Sequence, residues 1–321
     1  MRIFVAGATG AVGRELVPAL VAGGHQVTGL TRSPAKAETI RRMGGQAAVA
    51  DALDAAAVTS ALRAAEPEVL VHELTDLGGL ADFRHFDRGF AATNRLRTEG
   101  TDILLAAARA AGVRRFIAQS FCGWTLGRST GPIKSEADPR ASDPPMELRR
   151  TLEAMRYLEQ TVTASSAPEG IVLRYGSFYG ENTGILSPVM IEQLRHRRVP
   201  VIGDGAGWWS FIHVADAASA TMAAIERGLP GQVYDIVDDE PAQVKDWLPA
   251  LAQMVGAKPP LRVPAWIGRL LAGEHMVVIM TQVSGSANER AKRELDWRPA
   301  HPSWREGFSQ TLRLSAARSA A

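Results

Sequence analysis

The sequence opens with residues whose type and spacing suit the binding of phosphate groups. Three glycines, Gly7, Gly10 and Gly13, follow an apolar run from Ile3 to Ala6. The apolar residues after them recur with helical spacing, at Leu16, Val17, Leu20 and Val21. This order predicts a buried parallel strand, a tight turn and an amphipathic helix. Glycines there permit the turn, close approach of the backbone to a pyrophosphate, and close packing of helix on strand. The pattern therefore indicates dinucleotide binding.

The composition is that of an ordinary globular α/β protein. The chain has 321 residues, of which 46% are hydrophobic and 22% charged, and 36 basic against 34 acidic residues leave a formal charge of +2. This balance favours neither nucleic acid nor a membrane surface as a partner. Cys122 is the single cysteine, so no internal disulfide forms. Because the sequence runs from Met1 directly into the first strand, we expect a cytoplasmic protein.

Alternating strands and helices predict the fold class. Strands are expected over 26–31, 46–50, 69–71, 115–119 and 171–174, with helices over 55–65, 98–111 and 146–164. Such alternation is typical of a doubly wound parallel sheet of the Rossmann type. We assign residues 1–175 to this dinucleotide-binding domain, with its sheet completed by parts of 205–240. Residues 176–321 are mainly a smaller substrate-binding lobe.

The segment from Trp124 to Pro145 is rich in proline and glycine and shows no period. It follows a predicted strand at the edge where ligands bind, so we expect a lid over the cofactor. Trp124, Trp208 and Trp209 are expected around the same cleft, either stacking on a flat substrate or packing in the core.

Several motifs together resemble the extended and atypical branches of the short-chain dehydrogenase/reductase superfamily, which include NAD-dependent epimerases and dehydratases. They are GATGAVG at 7–13, Asp51, RTEGTDILLAAARAAGVRRFI at 97–117, LRYGSFYG at 173–180, GDGAGWWSFIHVADAA at 203–218 and LDWRPAHPSWREGF at 295–308. The resemblance implies that Asp51 reaches the adenine and that Tyr175 and Gly176 lie by the nicotinamide. Leu74 is expected beside the cofactor as well. The residues implied for the pyrophosphate turn are Gly7, Thr9, Gly10, Ala11, Val12 and Gly13. It also implies a homodimer, formed through the helices at 98–111 and 147–164.

Arg32 bears on the choice of cofactor. It ends the second strand, where an acidic residue would accept a hydrogen bond from the ribose of NAD and repel a 2′-phosphate. An arginine can instead pair with that phosphate, which favours NADP over NAD. The alternative is that Arg32 is a solvated surface charge.

The expected catalytic pair is replaced. Relatives use a tyrosine with a lysine four residues later, and Glu159, which resembles the glutamate that follows them, aligns Thr151 and Met155 with those positions. A threonine does not ionise near neutral pH, and a thioether cannot lower the pKa of a neighbour. The helical angle should turn Tyr157 away from the site. Arg97 stands where an asparagine is common, and the usual serine or threonine falls on Ser120 or Phe121.

Other candidate side chains have two interpretations each. His72 suits acid–base chemistry or structural packing, with packing favoured. Glu147 could face the site, although an acidic residue in the first turn of a helix is ordinary. Cys122 is a small buried hydrophobe or a nucleophile. The scattered histidines form no metal-binding motif, so no metal is expected.

These observations predict an NADP-binding oxidoreductase that exchanges a hydride with a small organic substrate. Ser120 and Thr151 are the catalytic candidates. Two alternatives remain: an epimerase- or dehydratase-like isomerase or lyase that uses the cofactor transiently or structurally, and a non-catalytic NADP-binding regulator. Likeness of fold alone cannot separate them.

Overall fold

A seven-stranded parallel sheet forms the centre of the protein. The computed structural model describes residues 1–77, 86–123, 131–139 and 144–320. In chain order, strands β1 to β16 are Arg2–Ala6, Gln26–Thr31, Gln46–Val49, Val69–His72, Arg115–Phe121, Ile133–Lys134, Glu169–Tyr175, Ser177–Gly180, Thr183–Gly184, Val201–Ile202, Trp208–Trp209, Phe211–His213, Val233–Ile236, Ala242–Gln243, Arg262–Val263 and Gly285–Ser286. The order across the sheet is β13-β7-β5-β4-β1-β2-β3, with every pair parallel. This is the predicted doubly wound α/β fold.

Helices cover both faces of the sheet. Helices α1 to α14 are Ala11–Ala22, Pro34–Arg42, Ala55–Ala65, Phe86–Gly89, Ala91–Arg95, Thr101–Ala110, Met146–Thr163, Pro188–Arg195, Val214–Arg227, Val244–Met254, Ala265–Ala272, Glu274–Thr281, Glu289–Glu294 and Trp304–Ala320. A π-helical turn, Leu96–Gly100, joins α5 to α6. Among the residues that the structure describes, no helix is long and apolar enough to cross a bilayer.

Successive side chains of each strand pack into two hydrophobic cores, one on each face of the sheet. In β1, Ile3 and Val5 pack toward α1 and α9, whereas Phe4 and Ala6 pack toward α3 and α6, and all four side chains are buried. Strands buried on both faces are continuous apolar runs for this reason. With helices on both faces, all seven strands run in the same direction. Their carboxyl ends therefore lie at one edge of the sheet, where the predicted site residues meet.

The region after residue 176 has a core of its own. Trp247, Trp304, Phe211 and Phe308 are its large buried side chains. A smaller apolar cluster lies between this region and α7, and it contains Met155, Leu152 and Ile279. This part of the chain therefore packs directly against α7, the helix that carries positions 151 and 155.

The structure differs from the sequence prediction between β4 and β5. The helix predicted over 98–111 corresponds to α6 with the π-helical turn at its start, and the short helices α4 and α5 before it were not predicted. One extra residue in the π-helical turn breaks the regular helical period, so a 3.6-residue pattern fits only the part after it.

The predicted lid is described only in part, since Trp124 and residues 124–130 and 140–143 lie outside the described residues. Its middle, 131–139, is docked on the protein. β6 pairs with β16, and the Glu136 carboxylate accepts a hydrogen bond from the backbone N–H of Asp235 on the edge strand β13 at 2.9 Å. This part of the segment therefore ties the C-terminal region to the sheet edge.

Candidate active site

The glycine turn lies where the strand order reverses. From β1 the chain proceeds to β2 and β3 on one side and to β4 and β5 on the other. The crevice outside such a reversal is where doubly wound sheets bind ligands. Gly7 begins the turn with φ +101°, and a Cβ there would lie 2.6 Å from the backbone oxygen of Glu73 after β4. The two loops that border the crevice are thus in direct backbone contact.

The turn presents the start of α1 to this crevice. Gly10 caps the helix without a side-chain hydrogen bond, and the first turn contains no acidic residue. A Cβ at Gly13 would collide with the Gly7 carbonyl and with the Ala8 backbone. Free N–H groups, the positive end of the helix dipole and space without side chains fit a dinucleotide pyrophosphate. The residues predicted for this role, Gly7, Thr9, Gly10, Ala11, Val12 and Gly13, meet here.

Three further predicted cofactor residues lie along the same edge. Arg32 follows β2, with a side chain 71% exposed that pairs with Asp76 at 3.3 Å. Asp51 follows β3, and its Oδ1 accepts from the N–H of Leu53 at 3.0 Å. Leu74 follows β4 and donates its N–H to His72 Nδ1 at 3.3 Å. The sheet thus aligns them at the edge that carries the glycine turn, with Arg32 and Asp51 on the β2–β3 side of β1 and Leu74 on the β4 side.

His72 is held in one neutral tautomer. Its Nδ1 accepts from the Leu74 N–H, so Nε2 carries the proton and donates to the carbonyl of Leu96, at 3.3 Å in both cases. Burial lowers the pKa of His72 to about 4. A buried, doubly bonded neutral imidazole joins β4 to the π-helical turn, which agrees with structural packing rather than acid–base chemistry.

A buried polar cluster lies beneath the glycine turn. The Tyr175 hydroxyl donates to Glu73 Oε1 at 3.0 Å and is 2.6 Å from the Thr221 hydroxyl. Burial raises the pKa of the Glu73 carboxyl to about 8, so it is mostly protonated at neutral pH. The Tyr175 ring is fully buried with the α1 and α9 core. The Tyr175 ring therefore belongs to the core, so a contact between Tyr175 and a nicotinamide would be made by the backbone.

Thr151 and Met155 lie on the buried face of α7. Thr151 Oγ1 accepts from the side-chain amide of Asn94 at 3.1 Å and donates to Asp87 Oδ1 at 3.4 Å. Burial raises the pKa of the Asp87 carboxyl above its ordinary value. Thr151 is 1% exposed, so its hydroxyl is fixed by α4 and α5 instead of opening into the cleft.

Apolar side chains pack around Met155, the residue that the sequence motifs align with the relatives' lysine. Met155 is 1% exposed and belongs to the cluster between α7 and α12. Phe121, at one of the two positions considered for the catalytic serine, packs against the same cluster with Trp209. Trp209 is fixed by a 3.1 Å hydrogen bond from its indole N–H to the carbonyl of Ile279. This wall supplies no ionisable group.

Ser120 faces α7. Its hydroxyl donates to Glu159 Oε1 at 2.6 Å, and Arg174 Nη2 lies 2.7 Å from Glu159 Oε2. Ser120 is 2% exposed, and both charged side chains are largely buried. The serine thus completes a buried ion pair that joins β5, β7 and α7.

The remaining candidates occupy ordinary positions. Tyr157 lies on the outer face of α7, as its helical angle predicts, and its hydroxyl donates to Asp102 on α6 at 2.8 Å. Cys122 is buried, with its backbone N–H donating to the Tyr175 carbonyl. Glu147 is in the first turn of α7.

Sequence reasoning missed Asn94, Asp87 and Glu73. An asparagine, Asn94, lies one turn before position 97, and the buried Arg97 donates to its Oδ1 at 3.5 Å. Arg97 lies in the π-helical turn, which shifts its helical register relative to Asn94. The pair His72-Glu73 at the end of an apolar strand was a signal of a buried carboxyl that was available in the sequence.

A glycine turn at the strand reversal, beside an open helix N-terminus, defines a dinucleotide-binding protein of the Rossmann type. The sequence model of the NAD dependent epimerase/dehydratase family matches residues 3–236, and the chain belongs to this family. A curated relative from a Streptomyces species, 3-diazoavenalumate denitrifying reductase, is 44% identical over 312 residues, covering 97% of this chain and 100% of the relative.

Solved structures share the fold. The UDP-glucose 4-epimerase of Thermus thermophilus in complex with NAD has a TM-score of 0.75 at 21% identity, covering 98% of this chain and 99% of that one. A human epimerase family protein with NADPH has a TM-score of 0.72 at 18% identity, with the same coverage. The family and the reductase relative identify an NAD(P)-dependent oxidoreductase of the extended short-chain dehydrogenase/reductase type. The isomerase and regulator alternatives are not favoured.

Proposed function

We propose that this chain uses NADPH to replace a diazo group of a small organic acid by hydrogen, with release of dinitrogen. The observation that carries the proposal is the burial of Thr151 and Met155, which the sequence motifs align with the tyrosine and lysine of relatives. The 44% identical relative, named as a denitrifying reductase of a diazo compound, supplies the substrate class.

Loss of the tyrosine is compatible with this reaction. Reduction of a ketone produces an alkoxide, which must receive a proton from an acid such as tyrosine. The bound cofactor supplies a hydride. At a carbon that bears a diazonium group, a C–H bond forms with the hydride electron pair, and the C–N bond breaks with its electrons passing to nitrogen. The cation becomes neutral, dinitrogen leaves, the reduced nicotinamide is oxidised, and no proton is consumed.

The apolar wall suits such a substrate. Diazonium ions react with water, so a productive site must exclude it. Phe121, Met155 and Trp209 contribute apolar surface to one cluster between α7 and the C-terminal region. We infer that this wall covers the reacting carbon, and that Ser120 and Thr151 position α7 and its neighbours through their hydrogen bonds instead of donating protons.

NADP is the proposed form of the cofactor. Arg32 follows β2, on the side of the sheet expected for the adenosine ribose, and its guanidinium can pair bidentately with a 2′-phosphate. Calorimetric titration with NADPH and NADH tests this choice. We expect NADPH to bind more tightly, and tighter binding of NADH contradicts the assignment.

A homodimer formed through α6 and α7 is also proposed. The exposed residues of α7 are largely polar: Met146, Arg149, Arg150, Glu153, Tyr157 and Gln160. The proposed interface is therefore polar, and it includes the Tyr157–Asp102 hydrogen bond. Sedimentation equilibrium at low and high salt tests it, and a monomer at both salt concentrations contradicts it.

We propose a cytoplasmic location as well. The single cysteine, Cys122, is buried and reduced, which suits a reducing compartment. Cell fractionation tests this, and recovery of the protein outside the cytoplasmic fraction contradicts it.

The reaction is tested with purified protein, NADPH and a diazotised aromatic carboxylic acid. Dinitrogen release is followed by mass spectrometry and NADPH consumption by absorbance. We expect equal amounts of both, and no consumption with the ketone of matching carbon skeleton. Ketone reduction without dinitrogen release contradicts the proposal.

A further inference from the structure

An ion pair crosses the crevice in which the cofactor is expected. Arg32 Nη2 lies 3.3 Å from Asp76 Oδ2. Arg32 follows β2 and Asp76 follows β4, and these strands are the two neighbours of β1. A link from the end of β2 to the segment after β4 must therefore pass over the end of β1, from which the glycine turn emerges.

The two partners differ in how firmly they are held. The backbone N–H of Asp76 donates to the Thr93 hydroxyl at 2.9 Å, and Thr93 is fully buried in α5. The Arg32 side chain is 71% exposed, against 39% for Asp76. The backbone of Asp76 is thus anchored to the helical layer, while the more exposed guanidinium is the partner that can exchange.

We propose that Asp76 is a specificity-determining residue, a counter-ion that holds Arg32 across the crevice and is exchanged for the 2′-phosphate of NADPH. The inference rests on the proposed use of NADPH and adds an account of how NADH is disfavoured. A dinucleotide entering the crevice separates Arg32 from Asp76. NADPH gives Arg32 a new anion, whereas NADH leaves the separated charges without one.

The physical consequence is different for the two cofactors. An exposed ion pair contributes little, so abolishing it should raise NADH affinity only about two- to fivefold. Removal of Arg32 also removes a charged hydrogen bond to the phosphate, which should lower NADPH affinity about 10- to 100-fold. Neutralising Asp76 leaves that bond intact, so NADPH affinity should not fall.

The experiment measures dissociation constants of NADPH and NADH by calorimetry for the full chain and for Arg32→Ala, Asp76→Asn and the double variant. We expect both single variants and the double variant to share the same gain in NADH affinity, because each removes the same ion pair. Glu68→Gln is the matched control. It disrupts the Arg2–Glu68 pair, 4.0 Å long, which lies at the opposite end of the sheet, where β1 and β4 begin. Neither affinity should change in it.

The NADP assignment and the role of Asp76 are contradicted by different results of this experiment. If Arg32→Ala leaves NADPH affinity unchanged, the NADP assignment is wrong. If NADH affinity is unchanged or falls in Arg32→Ala and Asp76→Asn, the ion pair does not restrict the crevice and the role of Asp76 is overturned. Thermal unfolding of each variant shows whether a change in affinity comes from loss of the fold.

Discussion

The side-chain amide of Asn94 donates to Thr151 Oγ1 at 3.1 Å, at the position that the sequence motifs predict for a catalytic tyrosine. The same threonine donates to Asp87 Oδ1 at 3.4 Å. Both contacts join α7 to the short helices α4 and α5. Thr151 therefore serves as a link between helices, and its hydroxyl has no free proton to deliver to a substrate.

Thr151→Val tests this assignment. Loss of a general acid lowers the rate of a chemical step about 100- to 10,000-fold, whereas loss of a positioning hydrogen bond costs about tenfold or less. We expect the smaller effect on single-turnover hydride transfer, with NADPH affinity unchanged. Thr151→Ser is the matched control and should behave like the parent. A loss above about a hundredfold in the valine variant alone identifies Thr151 as a proton donor.

Glu73 predicts a pH dependence of stability. Burial raises the pKa of its carboxyl from 4.5 to about 8. Between these values the folded chain keeps a proton that the unfolded chain releases. The free energy of unfolding therefore falls as pH rises. The equilibrium constant for unfolding increases by up to about tenfold for each pH unit. This loss of stability has not begun at pH values below 4.5, and it is complete at pH values above about 8.

Glu73→Gln isolates this contribution, since an amide has no proton to lose in this range and retains a hydrogen-bond acceptor for Tyr175. Urea unfolding is measured for both proteins across the window. We expect the variant to gain stability relative to the parent as pH rises. A difference in stability that stays constant across the window shows that Glu73 is ionised in the folded protein.

The Glu159–Arg174 pair predicts strong coupling between two substitutions. The charges are 2.7 Å apart and largely buried, and Ser120 donates to the same carboxylate. Arg174→Met removes the cationic partner of a buried carboxylate and should lower the free energy of unfolding by about 3–5 kcal/mol. The double variant with Glu159→Leu should be less destabilised than either single variant. Additive losses in denaturant unfolding contradict this coupling.

The sequence predicted the parts of the site that depend on local chain geometry. The turn from Gly7 to Gly13 lies within one strand–turn–helix unit, and Arg32, Asp51 and Leu74 lie at strand ends. A parallel sheet brings its strand ends to one edge, so their alignment follows from the pattern of strands. The helix Ala55–Ala65 has the predicted bounds because regular apolar spacing fixes it.

The partners of these residues could not be predicted in the same way. Asn94 and Asp87 reach Thr151 because α4 and α5 pack on α7, and the π-helical turn after them shifts the helical register. Asp76 reaches Arg32 across β1, a contact between segments far apart in the chain. Each contact depends on tertiary packing, which the spacing of hydrophobic residues along the chain does not reveal.

The transfer of deuterium from NADPH labelled at its transferable position tests the central claim most directly. The protein is mixed with a diazotised aromatic carboxylic acid in ordinary water, and the product is analysed by mass spectrometry and NMR. We predict one deuterium at the carbon that had carried the diazo group, with one dinitrogen released for each cofactor oxidised. A product that carries only solvent hydrogen at that carbon, or that retains both nitrogens, contradicts the account.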